Sequence, residues 1–465
     1  MILDFCIMNF KIITFFILLS VFPKMLKAQS TWNEQDSMMF AKTQEVVITA
    51  TRTERLLSNI AVPTLVINSK TIQLNGNLRL SDLLQEQTGL FLTSGSGSAA
   101  IGGGVFGNGI QIQGLSPDYT LIMLDSEPLT GRQGGVIDLS RFSVGNIKKV
   151  EIIKGPSSAL YGSEAMGGVV NIITDQSRKS FTNGSIRYGS FNTFDLNATV
   201  NHNTDKSTFL LYANHINSQG YDLNPTTQEK TVDPYQNSTF QLKLTHRFTP
   251  KTRLIWNNRL FTGLQTSLFS LGSNTLNVDG SGKTTDININ PVVNHLFNDR
   301  LKTSFRFYGS FYRYDQALSF INTKELYYED DFRHNFYRLE NQTDWEFAKN
   351  HNLTVGGGYN VQTVETIRYR TAKTQQLAYG FIQDEWKILD ALTIIPGLRY
   401  DVNSDFANRL TPKLSAQYKL NRQLNFNFSF GSGFKAPDFR QLYLYYVNPA
   451  GQGYRIYGAA EFSLD

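Results

Sequence analysis

Strict alternation of apolar and polar residues dominates the sequence from about residue 181 onward and constrains its fold most. In the segment 240–248, Phe240, Leu242, Leu244 and Phe248 fall on one face, and Gln241, Lys243, Thr245 and Arg247 fall on the other. The pattern recurs at 305–312 and 424–430. A side-chain period of two indicates a β-strand with one apolar and one polar face. Repeated between turn sequences, it predicts an up-and-down antiparallel meander.

Strand length separates a membrane barrel from a soluble β-sandwich, which also alternates. Several predicted strands exceed the ~5–6 residues usual in soluble sheets and suit tilted membrane strands. Short turns alternate with long polar loops at 218–237 and 322–333, as in outer-membrane barrels. Aromatic residues, 13% of the sequence, can supply interfacial girdles. We therefore predict an all-β membrane barrel, whose closure leaves no unpaired backbone group facing lipid.

The residues before the barrel, from about 44 to 175, are rich in glycine and short apolar runs and predict a separate α+β domain. A helix is expected at 81–87, with Ser81 as N-cap and Gly89 beyond its end. Barrels of ~22 strands hold a plugged lumen, and about 13 strands fit the residues at 176–465. About 660 residues would complete such a barrel, so we expect that the sequence is truncated at its C-terminal end, Asp465. Strands are expected at 46–51, 64–68, 110–113, 120–124, 150–154 and 169–174.

The N-terminus carries an apolar run at 12–22 that follows Lys11. Its length suits a signal peptide, cleaved after Ala28, and is too short for a helix that spans a bilayer. An N-terminal membrane anchor is the alternative interpretation. Cleavage would remove Cys6, the single cysteine of the sequence, and the protein is expected to be exported.

Composition argues against several other classes of function. The net charge of +5 over 465 residues is too small for a nucleic-acid-binding surface. One cysteine excludes a disulfide framework or a multi-cysteine metal site. The six histidines show no i, i+4 pair that would indicate a helical zinc site, although a haem-binding role for one of them stays open. We predict no catalytic residue, no metal site, no cofactor and no enzyme activity.

Four segments resemble the TonB-dependent outer-membrane receptors, a family that includes siderophore and vitamin B12 receptors. They are QEVVITATR at 44–52, LSDLL at 80–84 with IQIQGL at 110–115, IKKVEIIKGPSSALYGSEAMGGVVNIIT at 147–174, and GFKAP at 433–437 followed by Leu442 and Tyr443. The resemblance implies a signal peptide at 1–28, a periplasmic lead with a TonB box at 29–52, a plug domain at 53–175 and the N-terminal part of the barrel at 176–465.

The resemblance assigns the TonB box to Glu45, Val46, Val47, Ile48, Thr49 and Ala50. This β-branched segment can add as a strand to the sheet edge of a partner, and the implied partner is TonB of the TonB–ExbB–ExbD complex. An ordinary plug strand is the alternative. Two positions depart from the family, since Gln113 and Lys154 stand where many relatives carry arginine. In the family those arginines are credited with ion pairs between plug and barrel. Lysine at position 154 keeps the charge but loses the bidentate geometry of arginine, so those ion pairs are in question here.

In the family, plug apices and barrel loops contact the ligand. The candidates here are Ser94, Ser96, Phe106, Asn108, Arg132 and Gln133. The glycine run at 95–109 could suggest a phosphate loop, but it lacks the Lys-Ser/Thr pair of a P-loop. The closing signature supplies turns and packing through Gly155, Pro156, Tyr161, Gly162, Gly167 and Gly168.

Together these features predict active import of a scarce metal chelate, most simply a ferric siderophore. Cobalamin or haem import is the runner-up; a passive porin or a barrel protease or lipase fits less well. Only 16 residues, 29–44, would separate the cleavage site from the TonB box, far fewer than the ~50 of an independent domain. Polysaccharide-importing relatives typically carry an extra N-terminal domain, so the resemblance disfavours a glycan ligand. The expected location is the outer membrane of a Gram-negative bacterium, in contact with lipid, TonB and a small chelate but no nucleic acid.

Overall fold

Thirteen consecutive antiparallel strands form one sheet from Phe181 to Gly431, and a smaller domain precedes it. This computed structural model describes residues 46–47, 55–56, 62–94, 108–132, 136–224, 226, 230–271, 276–421, 424–447 and 454–462. They belong to one compact unit, Val46–Asp465. No helix among the described residues is long and apolar enough to cross a membrane.

The preceding domain, called the plug below, is built on a five-stranded sheet. Its strand order is β3-β8-β9-β6-β7, and β6 and β9 are parallel neighbours. Its elements are β1 (Val46–Val47), β2 (Arg55–Leu56), β3 (Thr64–Asn68), α1 (Ser69–Asn75), α2 (Leu80–Gln85), β4 (Leu90–Ser94), β5 (Asn108–Ile112), β6 (Thr120–Leu124), β7 (Glu127–Pro128), β8 (Ile147–Lys154), α3 (Ser158–Tyr161) and β9 (Gly168–Thr174). Short 3₁₀ turns occupy Pro117–Tyr119 and Leu139–Arg141.

The apolar core of the plug lies between this sheet and α2. All seven residues of β9 are buried, as expected for a strand covered on both faces. Leu80, Leu83 and Leu84 of α2 pack against Val150 and Ile172 of the sheet. The sequence prediction of a compact α+β domain is confirmed.

The barrel sheet pairs each strand with the next in sequence. Its strands are β10 (Phe181–Gly189), β11 (Thr193–Asn203), β12 (Ser207–Ser218), β13 (Tyr235–Thr249), β14 (Thr252–Leu271), β15 (Leu276–Asn298), β16 (Leu301–Phe320), β17 (Leu326–Ala348), β18 (His351–Thr366), β19 (Lys373–Leu389), β20 (Leu392–Asn403), β21 (Arg409–Lys419) and β22 (Asn425–Gly431). Beyond it lie α4 (Phe439–Tyr443), β23 (Tyr445–Val447) and β24 (Arg455–Tyr457). Thirteen strands match the expected number.

Burial along these strands is inverted relative to a soluble protein. In β13, Phe240 and Leu242 are 51% and 46% exposed, whereas Gln241 and Lys243 are 2% and 5% exposed. The apolar face therefore points outward and the polar face points into the lumen. This arrangement is typical of a barrel in lipid and confirms the prediction from alternation.

The two ends of the barrel differ in their connections. Turns of two to five residues join the strands at one end, at 204–206, 250–251, 299–300, 349–350, 390–391 and 420–424. At the other end the connections at 219–234 and 367–372 have sixteen and six residues, whereas those at 190–192, 321–325 and 404–408 have three to five. The plug reaches β10 through residues 175–180, at the short-turn end. The two ends are therefore called the short-turn end and the long-connection end.

Three local predictions differ from the structure. Ser81 does not cap α2: the helix begins at Leu80, where the Arg79 backbone N–H donates to Asp82 Oδ2 at 3.2 Å. The predicted loop at 322–333 is wrong because β17 begins at Leu326; such strand extensions pass beyond the lipid core and no longer need an apolar face. Helix α1 was not expected, although Asn68 caps its start and Gly76 its end.

Candidate functional site

A cavity lies between the plug and barrel strands β17–β20 at the long-connection end. It encloses about 1230 Å³ of atom-free space, its opening included. Plug residues, including Arg132 and Glu164, form its floor, and the segment 435–440 covers one side. Aromatic side chains line it from both domains: Tyr161, Phe332, Phe336, Tyr369, Tyr379, Phe406 and Phe439.

The floor of the cavity is fixed by Arg132. Its Nη2 donates to the Thr120 carbonyl oxygen at 2.8 Å and lies 3.0 Å from Glu164 Oε2. Glu164 has a φ of 75°, a conformation that a residue with a side chain rarely adopts and that often marks functional sites. The ion pair therefore holds two plug segments together beneath the cavity.

The wall of the cavity carries two buried arginines with carboxylate partners. Arg338 of β17 pairs with Glu127 of the plug strand β7. Arg399 of β20 pairs with Asp401 at 2.7 Å and stacks over the Tyr379 ring. Arg399 Nη1 also donates to the Leu160 carbonyl oxygen of the plug at 3.4 Å. Both arginines therefore tie the plug to the barrel wall.

His334 of β17 connects the wall to the plug through hydrogen bonds. The Gly131 N–H donates to His334 Nδ1 at 3.3 Å, and His334 Nε2 lies 3.2 Å from Gln362 Oε1. Because Nδ1 accepts, the ring proton lies on Nε2, which donates to Gln362. Gly131 has a φ of 82°, and a Cβ there would lie 2.4 Å from the Tyr312 ring. The plug backbone approaches the wall this closely only because residue 131 is glycine.

The segment that resembles a mid-barrel motif contacts the closing signature of the plug. The Ala436 N–H donates to Ser163 Oγ at 2.8 Å, and the Phe434 N–H donates to Ser158 Oγ at 3.4 Å. Gly433 packs against Met166. The structure thus brings together two motifs that are about 270 residues apart in sequence.

A buried group of three charges joins the plug to the barrel wall. Asp286 of β15 lies 2.9 Å from Arg259 of β14 and 3.3 Å from Arg141 of the plug. Arg259 stacks over Phe142, and Arg141 over Tyr312. One carboxylate is therefore shared by two buried guanidinium groups.

A second plug–wall contact lies nearer the short-turn end. Lys243 Nζ of β13 lies 3.1 Å from Asp125 Oδ2 and donates to Thr174 Oγ1 at 2.6 Å. Asn257 of β14 donates to the same Asp125 oxygen at 2.8 Å. Lys154, by contrast, donates to the Thr88 carbonyl oxygen at 3.0 Å, inside the plug. The ion pairs described between plug and wall therefore do not involve Gln113 or Lys154, the two positions where many relatives carry arginine.

Burial also shifts the titration of plug carboxyls. Burial raises the pKa of Asp118, and the nearby Arg132 and Arg440 guanidinium groups oppose that rise. Arg440 Nη2 lies 3.9 Å from Asp118 Oδ2. This carboxyl is adjacent to the cavity, on the turn beside the floor arginine. Among the described residues there is no group of three or more His, Cys, Asp or Glu able to hold a metal ion.

Of the predicted ligand residues, only Arg132 has a described side chain, and it lines the cavity. Ser94 and Asn108 are paired backbone positions at the ends of β4 and β5. Ser96, Phe106 and Gln133 lie outside the described residues. Of the TonB box, Val46 and Val47 form β1 and pair with β2; Glu45, Ile48, Thr49 and Ala50 lie outside the described residues.

The predicted closing signature forms the turn around α3. The Gly155 N–H donates to the Gly167 carbonyl oxygen at 3.0 Å, which closes the loop between β8 and β9. A Cβ at Gly162, where φ is 80°, would lie 2.9 Å from the Arg399 guanidinium. Tyr161 lines the cavity, Pro156 lies in the loop, and Gly168 begins β9.

Sequence reasoning missed the barrel side of the cavity. Arg338, Arg399 and His334 are polar residues on lumen-facing positions, so alternation could have placed them inside the barrel. It could not have paired them with Glu127, Leu160 or Gly131. Those contacts depend on how the plug lies in the lumen, which no local pattern encodes.

Two family models match the sequence. The model for the TonB-dependent receptor plug domain matches residues 57–169, and the model for the TonB-dependent receptor-like β-barrel matches residues 168–463. The protein belongs to the TonB-dependent receptors. It is therefore a member of a receptor family and not of an enzyme family.

Solved structures with the same fold include several receptors. The siderophore receptor PirA of Acinetobacter baumannii has a TM-score of 0.64 and 18% identity, over 82% of this protein and 62% of that one. The ferric enterobactin receptor PfeA of Pseudomonas aeruginosa, in complex with enterobactin, gives 0.65 and 17%, over 83% and 66%. The ferric-catecholate import receptor Fiu of E. coli K12 gives 0.60 and 14%, over 80% and 70%. The sequence thus spans less than two thirds of PirA and PfeA.

Proposed function

We propose that this TonB-dependent receptor imports a ferric siderophore across the outer membrane of a Gram-negative bacterium. The exposed apolar face of the barrel strands suits contact with lipid. The long-connection end faces the cell exterior and the short-turn end the periplasm, as is general for outer-membrane barrels.

The cavity at the long-connection end carries this proposal. A ligand can enter it from outside, but Arg132, Glu164 and the rest of the plug close its floor. Passage inward then requires the plug to move, which breaks buried ion pairs such as Arg338–Glu127. An importer with an external energy source, not a passive pore, fits this arrangement.

The chemistry of the cavity lining suits an anionic chelate with planar groups. Lys435 Nζ lines the cavity and donates to the Ala436 carbonyl oxygen at 2.8 Å. Aromatic rings line the same cavity, and cations and rings together bind anionic aromatic ligands. The siderophore receptors that share the fold agree with this ligand class.

TonB, within the TonB–ExbB–ExbD complex, is the proposed source of energy. The pairing of β1 with β2 covers only two residue pairs. So short a ladder is weak, and a partner strand that offers more main-chain hydrogen bonds can replace it. Glu45, Val46, Val47, Ile48, Thr49 and Ala50 are the proposed contact segment.

Binding of ferric enterobactin to the detergent-purified receptor tests the ligand class. We expect tryptophan fluorescence quenching to saturate, and Lys435→Gln with Arg132→Gln to weaken binding at least tenfold. Arg313→Gln is the control, since Arg313 is exposed on the outer face and pairs with Asp315. Saturable binding of cyanocobalamin or haemin, without binding of ferric enterobactin, would contradict the siderophore proposal.

A further inference from the structure

A second cavity lies at the short-turn end, on the opposite side of the plug from the proposed entry site. It encloses about 1670 Å³ of atom-free space, its opening included. Its walls are the plug-to-barrel connection 175–178, the turn 204–206, the inner faces of β11 to β14 and Lys302 of β16.

The charges that line this cavity are strongly unbalanced. Two carboxylates, Asp175 and Asp205, face six cations. Within the described part of the protein, Lys243 is the only one of these cations that forms an ion pair, with Asp125. The cations are Arg178, Lys206, Lys243, Arg247, Arg253 and Lys302.

Two of these arginines lie directly opposite each other. Arg247 of β13 and Arg253 of β14 are cross-strand partners in the sheet register. Both line the cavity, so both lie on the lumen face. Like charges in directly opposite positions destabilise a sheet. Arg247 donates to the Asp205 carbonyl oxygen, and neither guanidinium forms an ion pair with a described carboxylate. An anion between them would relieve the repulsion.

We propose that this cavity is a periplasmic exit subsite that binds the anionic metal chelate after it has passed the plug. The inference rests on the proposed import function for the identity of its ligand. A cargo inside the lumen fits better than an acidic segment of a periplasmic protein, because Lys243, Arg253 and Lys302 lie on the lumen faces of their strands beside the end of the plug. The Lys243–Asp125 contact of the plug lies at the border of the same cavity, so plug movement exposes one more cation to the cargo.

A local fluorescent probe tests the subsite directly. Gln176 is an exposed residue of the lining, and the one native cysteine, Cys6, lies in the predicted signal peptide. We would label Gln176→Cys in the purified receptor with a fluorophore that ferric complexes quench. Titration with the trianionic ferric tris-catecholate complex then reports whether the complex occupies this cavity.

If the subsite binds the complex, the concentration of ferric complex that gives half-maximal quenching should be at least tenfold higher in the Arg247→Gln/Arg253→Gln variant than in the parent. Arg247→Lys/Arg253→Lys, which keeps the charges, should stay within about threefold. Lys251→Gln/Arg300→Gln is the charge-matched control, because both residues lie in turns of the same end outside the cavity. It should bind like the parent. Circular dichroism and heat-modifiable migration would verify that each variant is folded.

Two results would overturn the proposal. One is an equal midpoint in the parent and in the Arg247→Gln/Arg253→Gln variant. The other is a ferric complex that causes no quenching at any concentration while the acidic peptide polyglutamate changes the fluorescence of the label, since a protein partner would then occupy the site. The titration needs no transport, so it gives a result even if cells import no siderophore. If cells import the siderophore but the purified receptor shows no binding at this cavity, the exit subsite is refuted while the proposed import function stands.

Discussion

Individual charged residues hold the plug inside the barrel. Asp286 is the shared partner of Arg141 and Arg259, and all three side chains are almost fully buried. A buried charge that loses its partner is costly because it keeps its desolvation penalty without the compensating attraction. The stability of the plug–barrel interface therefore depends on a few such residues.

Asp286→Asn should loosen the plug. The substitution leaves two buried guanidinium groups without a carboxylate, and breaking a buried pair costs about 3–5 kcal/mol. We expect the denaturant midpoint of plug unfolding to fall and trypsin to cleave the plug faster. Asp279→Asn is the control: Asp279 pairs with Lys324 at the surface, where an ion pair contributes about 0–1 kcal/mol. Equal sensitivity of the two variants would show that the buried pair does not hold the plug.

A plug carboxyl gives the interface a defined pH dependence. Burial raises the pKa of Asp138 above its usual value, against the opposing effects of Arg141 and Ser140. The folded plug then binds more protons at this group than the unfolded polypeptide does. Its contribution to stability is therefore lost as the pH rises from the unfolded pKa through the folded one.

Asp138→Asn should remove that loss. We expect the variant plug to be more stable than the parent at pH 7 and equally stable near pH 3, where the Asp138 carboxyl of the parent is largely protonated. Denaturant unfolding of the plug at several pH values, with the exposed-loop variant Asp222→Asn as control, measures the difference. A destabilised variant at pH 7 would mean that the charged carboxylate is needed by Arg141.

At the scale of elements, alternation predicted the barrel strands well and their ends poorly. Alternation correctly placed Phe240 on the outer face and Gln241 on the lumen face, because a barrel strand has lipid on one side and the lumen on the other. The continuation of β17 from Leu326 was missed because an extension outside the lipid core carries polar residues on both faces. The cap of α2 was missed because Asp82, not Ser81, bonds the free backbone N–H.

A charge on the outer face should cost stability in proportion to its depth. Leu242 lies mid-strand in β13, whereas Phe248 lies next to the short turn at 250–251. Arginine at the bilayer midplane of a barrel costs about 2–4 kcal/mol, and near the interface about 0–1 kcal/mol. Refolding into lipid vesicles should therefore be impaired by Leu242→Arg and little changed by Phe248→Arg. The reverse order would contradict the assigned membrane position.

The TonB-box proposal predicts a separation of binding from transport. Proline in place of Val47 removes a backbone donor and breaks strand pairing. We expect Val47→Pro to abolish siderophore uptake by cells and to leave equilibrium binding at the outer cavity unchanged. Gln35→Pro, upstream of the box, serves as control and should transport normally. Loss of binding in Val47→Pro would assign these residues to the plug structure instead.

For the whole molecule, the sequence predicted two domains, thirteen strands and the family, but not the ligand-facing wall. Arg132 was predicted from a plug turn, while Arg399 and His334 were not, because their roles arise only when the plug lies against β17 and β20. Those contacts join residues more than 200 positions apart. Local periodicity carries no information about such pairs.

The most direct test of energised import is the uptake of radioactive iron from ferric enterobactin by cells that lack their other siderophore receptors and express this one. We predict accumulation that stops when TonB is deleted or a protonophore is added, while surface binding persists. Uptake that continues without TonB would contradict active import.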